Sequence, residues 1–326
     1  MTLRATRFGR SLPEGGCIGV AAPSSPWFNR SDVLRGIEWW EAKGYRVKLA
    51  PHAWDRDDYT AGSAAARAED LVALFADDEV DVVQCFQGGY GAMELLPHLD
   101  AAVIRANPKG MCGYSDITAL HLFVLSRCQV ATIHSNGLAG VGAPEIPDWN
   151  RERLLAVLRG GGAGEVPRDP DDRYVRALAG GRVTAPVAGG NLDLIERFIG
   201  TPFQSSFDGN ILLFEDVDST PWEIDSKLLH LSQAGVFDGV SGVVVGEMKD
   251  CDWRESRPEV PRTRSLEDVL ERHLEPLGVP VLYKLPLGHG KHHAAIPLGV
   301  TATLDADGRV LTIEEPALRS REGGST

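Results

Sequence analysis

What the sequence has little of narrows the field first. No stretch of the 326 residues approaches the 18 consecutive apolar side chains that a membrane-crossing helix needs. Positive charge is also scarce: 33 Lys and Arg stand against 46 Asp and Glu, a formal net charge of −13. A surface of that sign repels phosphate backbones and anionic headgroups, so neither nucleic acid nor a membrane surface is an expected partner. Cysteine is sparse, and Cys17, Cys85, Cys112, Cys128 and Cys251 form no C-x-x-C pair. Their odd number and scattered positions point to buried thiols in a reducing cytoplasm, without a disulfide framework or a zinc site. Arg4, Arg7 and Arg10 have no apolar segment behind them, since the run at 17–22 stops at Pro23. No signal peptide is therefore expected. Internal repeats, low-complexity tracts and long runs of like charge are missing as well.

What remains is an ordinary globular chain, long enough for two cores. Short apolar runs at 17–22, 45–49, 81–86, 109–113 and 129–133 alternate with helical patterns at about 31–44, 64–75 and 116–126. Buried runs of four to six residues separated by helices predict a parallel sheet covered on both faces, with ligands beyond the strands' carboxyl ends. Around 160–164 the composition shifts to Gly, then to Asp and Arg as far as Gly181. The expected organisation is an α/β domain at 1–160, a linker at 161–181 and a smaller, β-rich α+β domain at 182–326.

Four stretches follow expected strands and could carry chemistry. In Gly113-Tyr114-Ser115-Asp116-Ile117 a strand runs through a tight turn into a helix, which would hold a serine at the helix's positive end. The second glycine of a G-x-S-x-G elbow is missing, and a plain helix cap is the alternative. Gln87-Gly88-Gly89-Tyr90-Gly91 could offer backbone N–H groups to an oxyanion, or could simply be a tight turn. Glu215-Asp216-Val217-Asp218 ends an apolar run, where Glu215 could orient a histidine, the acids could chelate a hard metal, or all could be a solvated turn. Last, Gly288-His289-Gly290-Lys291-His292-His293 supplies imidazoles suited to general-base work near neutral pH. The H-E-x-x-H spacing of a helical metal site is not there. Serine, glutamate and histidine thus occur in chain order with one candidate for each role of a triad.

These residues, together with Val20-Ala21-Ala22-Pro23-Ser24-Ser25-Pro26, Leu95-Leu96-Pro97, Gly189-Gly190-Asn191-Leu192, the block 235–242 and Pro297-Leu298-Gly299, resemble the LD-carboxypeptidase family of serine peptidases. That family includes murein tetrapeptide carboxypeptidases and microcin C immunity hydrolases, and the matched segments run in the same order over nearly the whole chain. The resemblance implies a flavodoxin-like N-terminal domain, a β-rich C-terminal domain and a homodimer. It implies Ser115 as nucleophile, His289 as general base and acid, Glu215 as the carboxylate orienting it, and an oxyanion hole from Gly88, Gly89 and the Asp116 N–H. No cofactor or metal is implied, and His292 and His293 fall outside the matched positions as loop residues. The implied substrate is the amide to a terminal D-amino acid in cytoplasmic muropeptides. The alternative within the family is a peptidyl or aminoacyl nucleotide, for which the Gly-rich 160–181 stretch offers only Tyr174 as an aromatic, although the Gly235–Gly246 block and Trp222 resemble that branch more closely. Outside the family, a metal-dependent hydrolase would be inhibited by chelators, and a non-catalytic binding module would bind without turnover.

Overall fold

Five of the apolar runs in the first 135 residues form parallel strands, Cys17–Ala21, Arg46–Leu49, Val82–Cys85, Gly110–Gly113 and Thr132–His134. The computed structural model describes residues 3–253 and 264–320, so the extremes of the expected 1–160 and 182–326 units lie outside the described residues. In space the strands run second, first, third, fourth, fifth, the flavodoxin-like order. Most of their side chains are buried because helices cover both faces.

Local chemistry sets the details. The helix Arg30–Ala42 starts before Ser31-Asp32, because Asn29 caps it by accepting from the Ser31 N–H. The predicted single helix after Gly113 is divided into a tight turn at Ser115–Ile117, an α-helix at Thr118–Phe123 and a wide π turn at Val124–Cys128. Residues 129–131 hydrogen-bond to residues 6 and 7, so the fifth strand begins only at Thr132.

A second, eight-stranded sheet has Arg182–Asn191, Ile211–Val217, Gly242–Lys249 and Val281–Gly288 parallel at its centre. Helices Leu192–Arg197, Pro221–Gln233 and Leu266–Leu274 join them, and antiparallel strands complete both sides. Two of those outer strands, Gly164–Glu165 and Arg176–Ala179, come from the 161–181 stretch read as a linker. Its Gly, Asp and Arg content is that of a short, charged sheet edge.

The sheets also exchange chain. Ile296–Leu298 leaves the second region and pairs antiparallel with Thr132–His134, and Leu318–Arg319 pairs with Gly9–Arg10. Near the site, Asn191 donates its backbone N–H to Thr118 Oγ1 at 2.8 Å, joining the strand end to the helix behind Ser115. Gly190, at φ +147°, makes that approach possible, because an added Cβ would lie against the Thr118 side chain.

Gly190→Ala should therefore cost roughly 2–4 kcal/mol from backbone strain and overpacking. Gly200→Ala, at φ +76° with open space around it, should cost only about 1 kcal/mol. Urea unfolding midpoints of the two variants test this, and equal losses would remove Gly190 from the contact's explanation.

Candidate active site

The chain leaves Gly110–Gly113 at the strand's carboxyl end and turns sharply at Ser115, whose φ is +63°. An L-residue in the left-handed region stores about 1–2 kcal/mol and persists only where its surroundings hold it. They do so on three sides. A Cβ on Gly113 would strike Ile117, so the glycine before the serine lets Ile117 pack close. The buried Asp116 carboxylate accepts from Ser24 Oγ at 2.5 Å and from the Ala92 N–H at 2.8 Å. Burial pushes the Asp116 pKa up against those two hydrogen bonds.

Gly88 and Gly89 lie directly opposite. A Cβ on Gly88 would sit 3.1 Å from Ser115 Oγ and 3.2 Å from the Asp116 nitrogen, so only a glycine leaves the backbone this close to the serine. Ser25 Oγ accepts from the Tyr90 N–H, and Gln87 Nε2 donates to the Pro26 carbonyl. Arg67, fully buried, donates to the carbonyls of Gly62, Pro23 and Gly91 and pairs with Glu94. The 87–91 loop is thereby fixed from below.

Glu215 comes from the end of Ile211–Val217 and is wholly buried. His289 Nδ1 donates to Glu215 Oε2 at 2.5 Å, and Asn191 Nδ2 donates to Oε1 at 3.3 Å. Gly288, at φ +111°, and Gly246 make room for the glutamate side chain. Strand alternation sends Asp216 the other way, to Lys227 Nζ at 2.8 Å, so the glutamate is the acid that meets the histidine. For His289, burial lowers the pKa, but the Glu215 charge and hydrogen bond outweigh it and leave it above the ordinary 6.5.

Ser115, His289, Gly88, Gly89 and Tyr114 line one cleft of about 330 Å³, with Phe28, Glu145 and Ile146 across from them. The structure thus brings Ser115, His289, Gly88 and Gly89 to one cleft, with Asp116 following the serine in the chain and Glu215 bonded to the histidine, while Asp216, His292 and His293 turn elsewhere.

His292 and His293 are not surface loop residues. His292 is buried beside Trp149, with Nδ1 2.9 Å from Asp169 Oδ1. His293 shares a 3.0 Å hydrogen bond with His134, and His121 Nε2 donates to the Gly113 carbonyl. Tyr114 packs between His289 and His293, 4.9 Å from each ring. Burial holds His121 down to about 4, His293 down to about 3, and His134 well below 6.5, while it pushes the Tyr114 phenol up to about 12. Of the residues of the metal-binding alternative, His292 turns to Asp169, His293 to His134 and Asp216 to Lys227, while His289 and Glu215 bond to each other.

A serine on a strained strand-to-helix turn and a histidine bonded to a buried carboxylate line the same cleft, an arrangement compatible with a serine-type hydrolase. Residues 18–135 match the LD-carboxypeptidase N-terminal domain and residues 184–304 the LD-carboxypeptidase C-terminal domain, so the chain belongs to the LD-carboxypeptidase family and is a serine-type carboxypeptidase. It is 30% identical to a probable murein peptide carboxypeptidase of Bacillus subtilis, over 94% of this chain and 93% of that one. It is also 30% identical to the murein tetrapeptide carboxypeptidase of Pseudomonas aeruginosa, over 94% and 99%. The solved structure of MccF in complex with glutamyl sulfamoyl guanosine shares the fold, with a TM-score of 0.84 at 24% identity over 96% of this chain and 99% of that one.

The three buried histidines make stability acid-sensitive. Their native pKa values lie below the unfolded value near 6.5, so under that pH the unfolded chain binds protons that the folded one refuses. Their contribution is intact above pH 6.5 and is lost with acid at about 1.4 kcal/mol per pH unit for each histidine. Urea unfolding between pH 7.5 and 5 should show this slope, lessened by about one proton in His293→Gln; an unchanged slope would discount the cluster.

Proposed function

We propose that this carboxypeptidase hydrolyses the amide to a C-terminal D-amino acid of muropeptides, using Ser115, His289 and Glu215. The reading is carried by one observation: a wholly buried glutamate bonded at 2.5 Å to a histidine that shares a cleft with a strained serine. The nucleophile and oxyanion loop belong to the 1–160 unit, and the acid and base to the 182–326 unit.

In this mechanism His289 Nε2 takes the proton from Ser115 Oγ as the oxygen attacks the carbonyl of the penultimate residue. Glu215 holds the ring in the tautomer that leaves Nε2 free and stabilises the imidazolium that forms. The Asp116 N–H and the N–H groups of Gly88 and Gly89 receive the developing oxyanion, at about 3–4 kcal/mol for each donor removed. His289 then returns the proton to the departing amine, and water releases the acyl group by the same steps in reverse. The murein substrate is preferred because two relatives that match nearly end to end at 30% identity are named a probable murein peptide carboxypeptidase and a murein tetrapeptide carboxypeptidase.

Mass spectrometry of a muropeptide tetrapeptide ending in D-Ala tests the reading. The parent protein should remove one alanine residue, Ser115→Ala should remove none at matched times, and Glu215→Gln should act about 10³–10⁴-fold more slowly. Equal cleavage by Ser115→Ala would sink the serine mechanism. An intact tetrapeptide with active cleavage of an aminoacyl-nucleotide conjugate would reassign the substrate.

The working base is neutral His289, and its pKa is raised. Therefore kcat/KM should climb with pH through a midpoint above 6.5 and level off on the alkaline side. In Glu215→Gln that midpoint should move down, because the charge that raises it is gone; a midpoint that stays in place would separate the limb from His289.

A further inference from the structure

The chain between Glu165 and Tyr174 sorts its charges. Asp169 lies 2.9 Å from His292 Nδ1, Asp171 accepts from Lys291 Nζ at 2.5 Å, and Asp172 accepts from Lys284 Nζ at 2.8 Å. These pairs tie the segment to the strand Val281–Gly288 and to the loop after it that carries His289. Arg168 and Arg173 take no part in them. They line a separate cavity of about 370 Å³ together with Arg309 and Trp149.

Glu165 is the one acid among the residues lining that cavity, so three exposed arginines give its lining a formal charge of +2 in a chain whose net charge is −13. Among the described residues none of the three arginines has a carboxylate within ion-pair distance; Arg168 donates instead to the Arg309 carbonyl at 3.3 Å. Like charges gathered around one cavity repel each other, and a doubly charged anion relieves that repulsion while accepting from the planar guanidinium forks. Trp149 adds a ring surface, held by its edge contact with His292 at 5.4 Å. A volume of this size suits a small molecule. The cavity neighbours the catalytic cleft without belonging to it: Glu145 and Ile146 line the cleft, and Trp149 lines the arginine cavity three residues further on.

We propose that this cavity is a second binding site, for a doubly charged anion carried on a ring, of which a phosphate monoester is the simplest kind. The ring packs on Trp149, and the anion bridges Arg168, Arg173 and Arg309. The site stands independently of the peptide substrate proposed above.

Isothermal titration of the full chain with phenyl phosphate tests the proposal, in a Ser115→Ala background so that the cleft does no chemistry. One saturable site is expected, weakened by added salt, with inorganic phosphate and benzyl alcohol each binding at least tenfold more weakly. The combined variant Arg168→Gln, Arg173→Gln, Arg309→Gln should weaken phenyl phosphate at least tenfold. Trp149→Leu should weaken phenyl phosphate while leaving inorganic phosphate unchanged. Both variants are first checked for parental circular dichroism, and the three single Arg→Gln changes replace the combined one if it misfolds. No saturable binding, equal affinity in the arginine variants, or phosphate binding as tightly as phenyl phosphate would overturn the proposal.

Discussion

A carboxylate with no access to water must be given partners or it will not stay charged, and the geometry around Glu215 follows from that requirement. Stranding a buried charge by removing its partner costs several kcal/mol. The structure answers with His289 on one oxygen and the Asn191 amide on the other. Glycines at 246 and 288 keep the neighbouring strands close enough for the contact. Asn191 also reaches the other way, through its backbone N–H to Thr118, three residues past Ser115. One asparagine therefore links the acid of one sheet to the serine turn of the other, and the distance between the two halves of the site is set by hydrogen bonds.

The histidine-rich side of that pair is kept neutral. His121, His134 and His293 lie behind Tyr114 with burial holding them uncharged, and Asp216 is turned to Lys227. In a low-dielectric wall each uncompensated charge would weigh on His289 more than it would in water. With no charged histidine beside it, His289 feels mainly Glu215, helped by Asp216 and Asp218, and its pKa rises despite burial. Polarity is supplied instead as fixed donors, where Arg67, Ser24 and Ser25 hold the loops whose backbone faces the cleft.

Much of this was legible in the sequence, and the reason is local. Parallel strands buried on both faces leave unbroken apolar runs, and the residue after such a run lies at the carboxyl edge where ligands bind. That rule picked out Ser115 and Glu215, which do lie at the ends of their strands, and the Gly-x-Ser spacing added the turn. What escaped depends on contacts distant in sequence. Arg67 sits in a helix whose pattern shows only an apolar face, while its acceptors come from residues 23, 62, 91 and 94. His293 is buried because its loop packs on His134, 159 positions away. The choice of Glu215 over Asp216 rests on which face of the strand meets His289, and sequence alternation alone does not give that. The 161–181 stretch has the composition of a linker because it forms sheet edges, which need the same exposed polar residues.

The crossing of the chain between the two sheets has a consequence for how such a protein can change over generations. The fifth strand of the first sheet is covered by Ile296–Leu298, and Gly9–Arg10 is paired with Leu318–Arg319. A fragment ending near residue 160 would leave Thr132–His134 as a bare edge, open to pairing with any neighbouring chain. The two halves are consequently poor material for domain shuffling. A recombination that joined this N-terminal half to a foreign partner would need a donor already bringing its own covering strand, so the halves are bound to be inherited, and to diverge, as one unit.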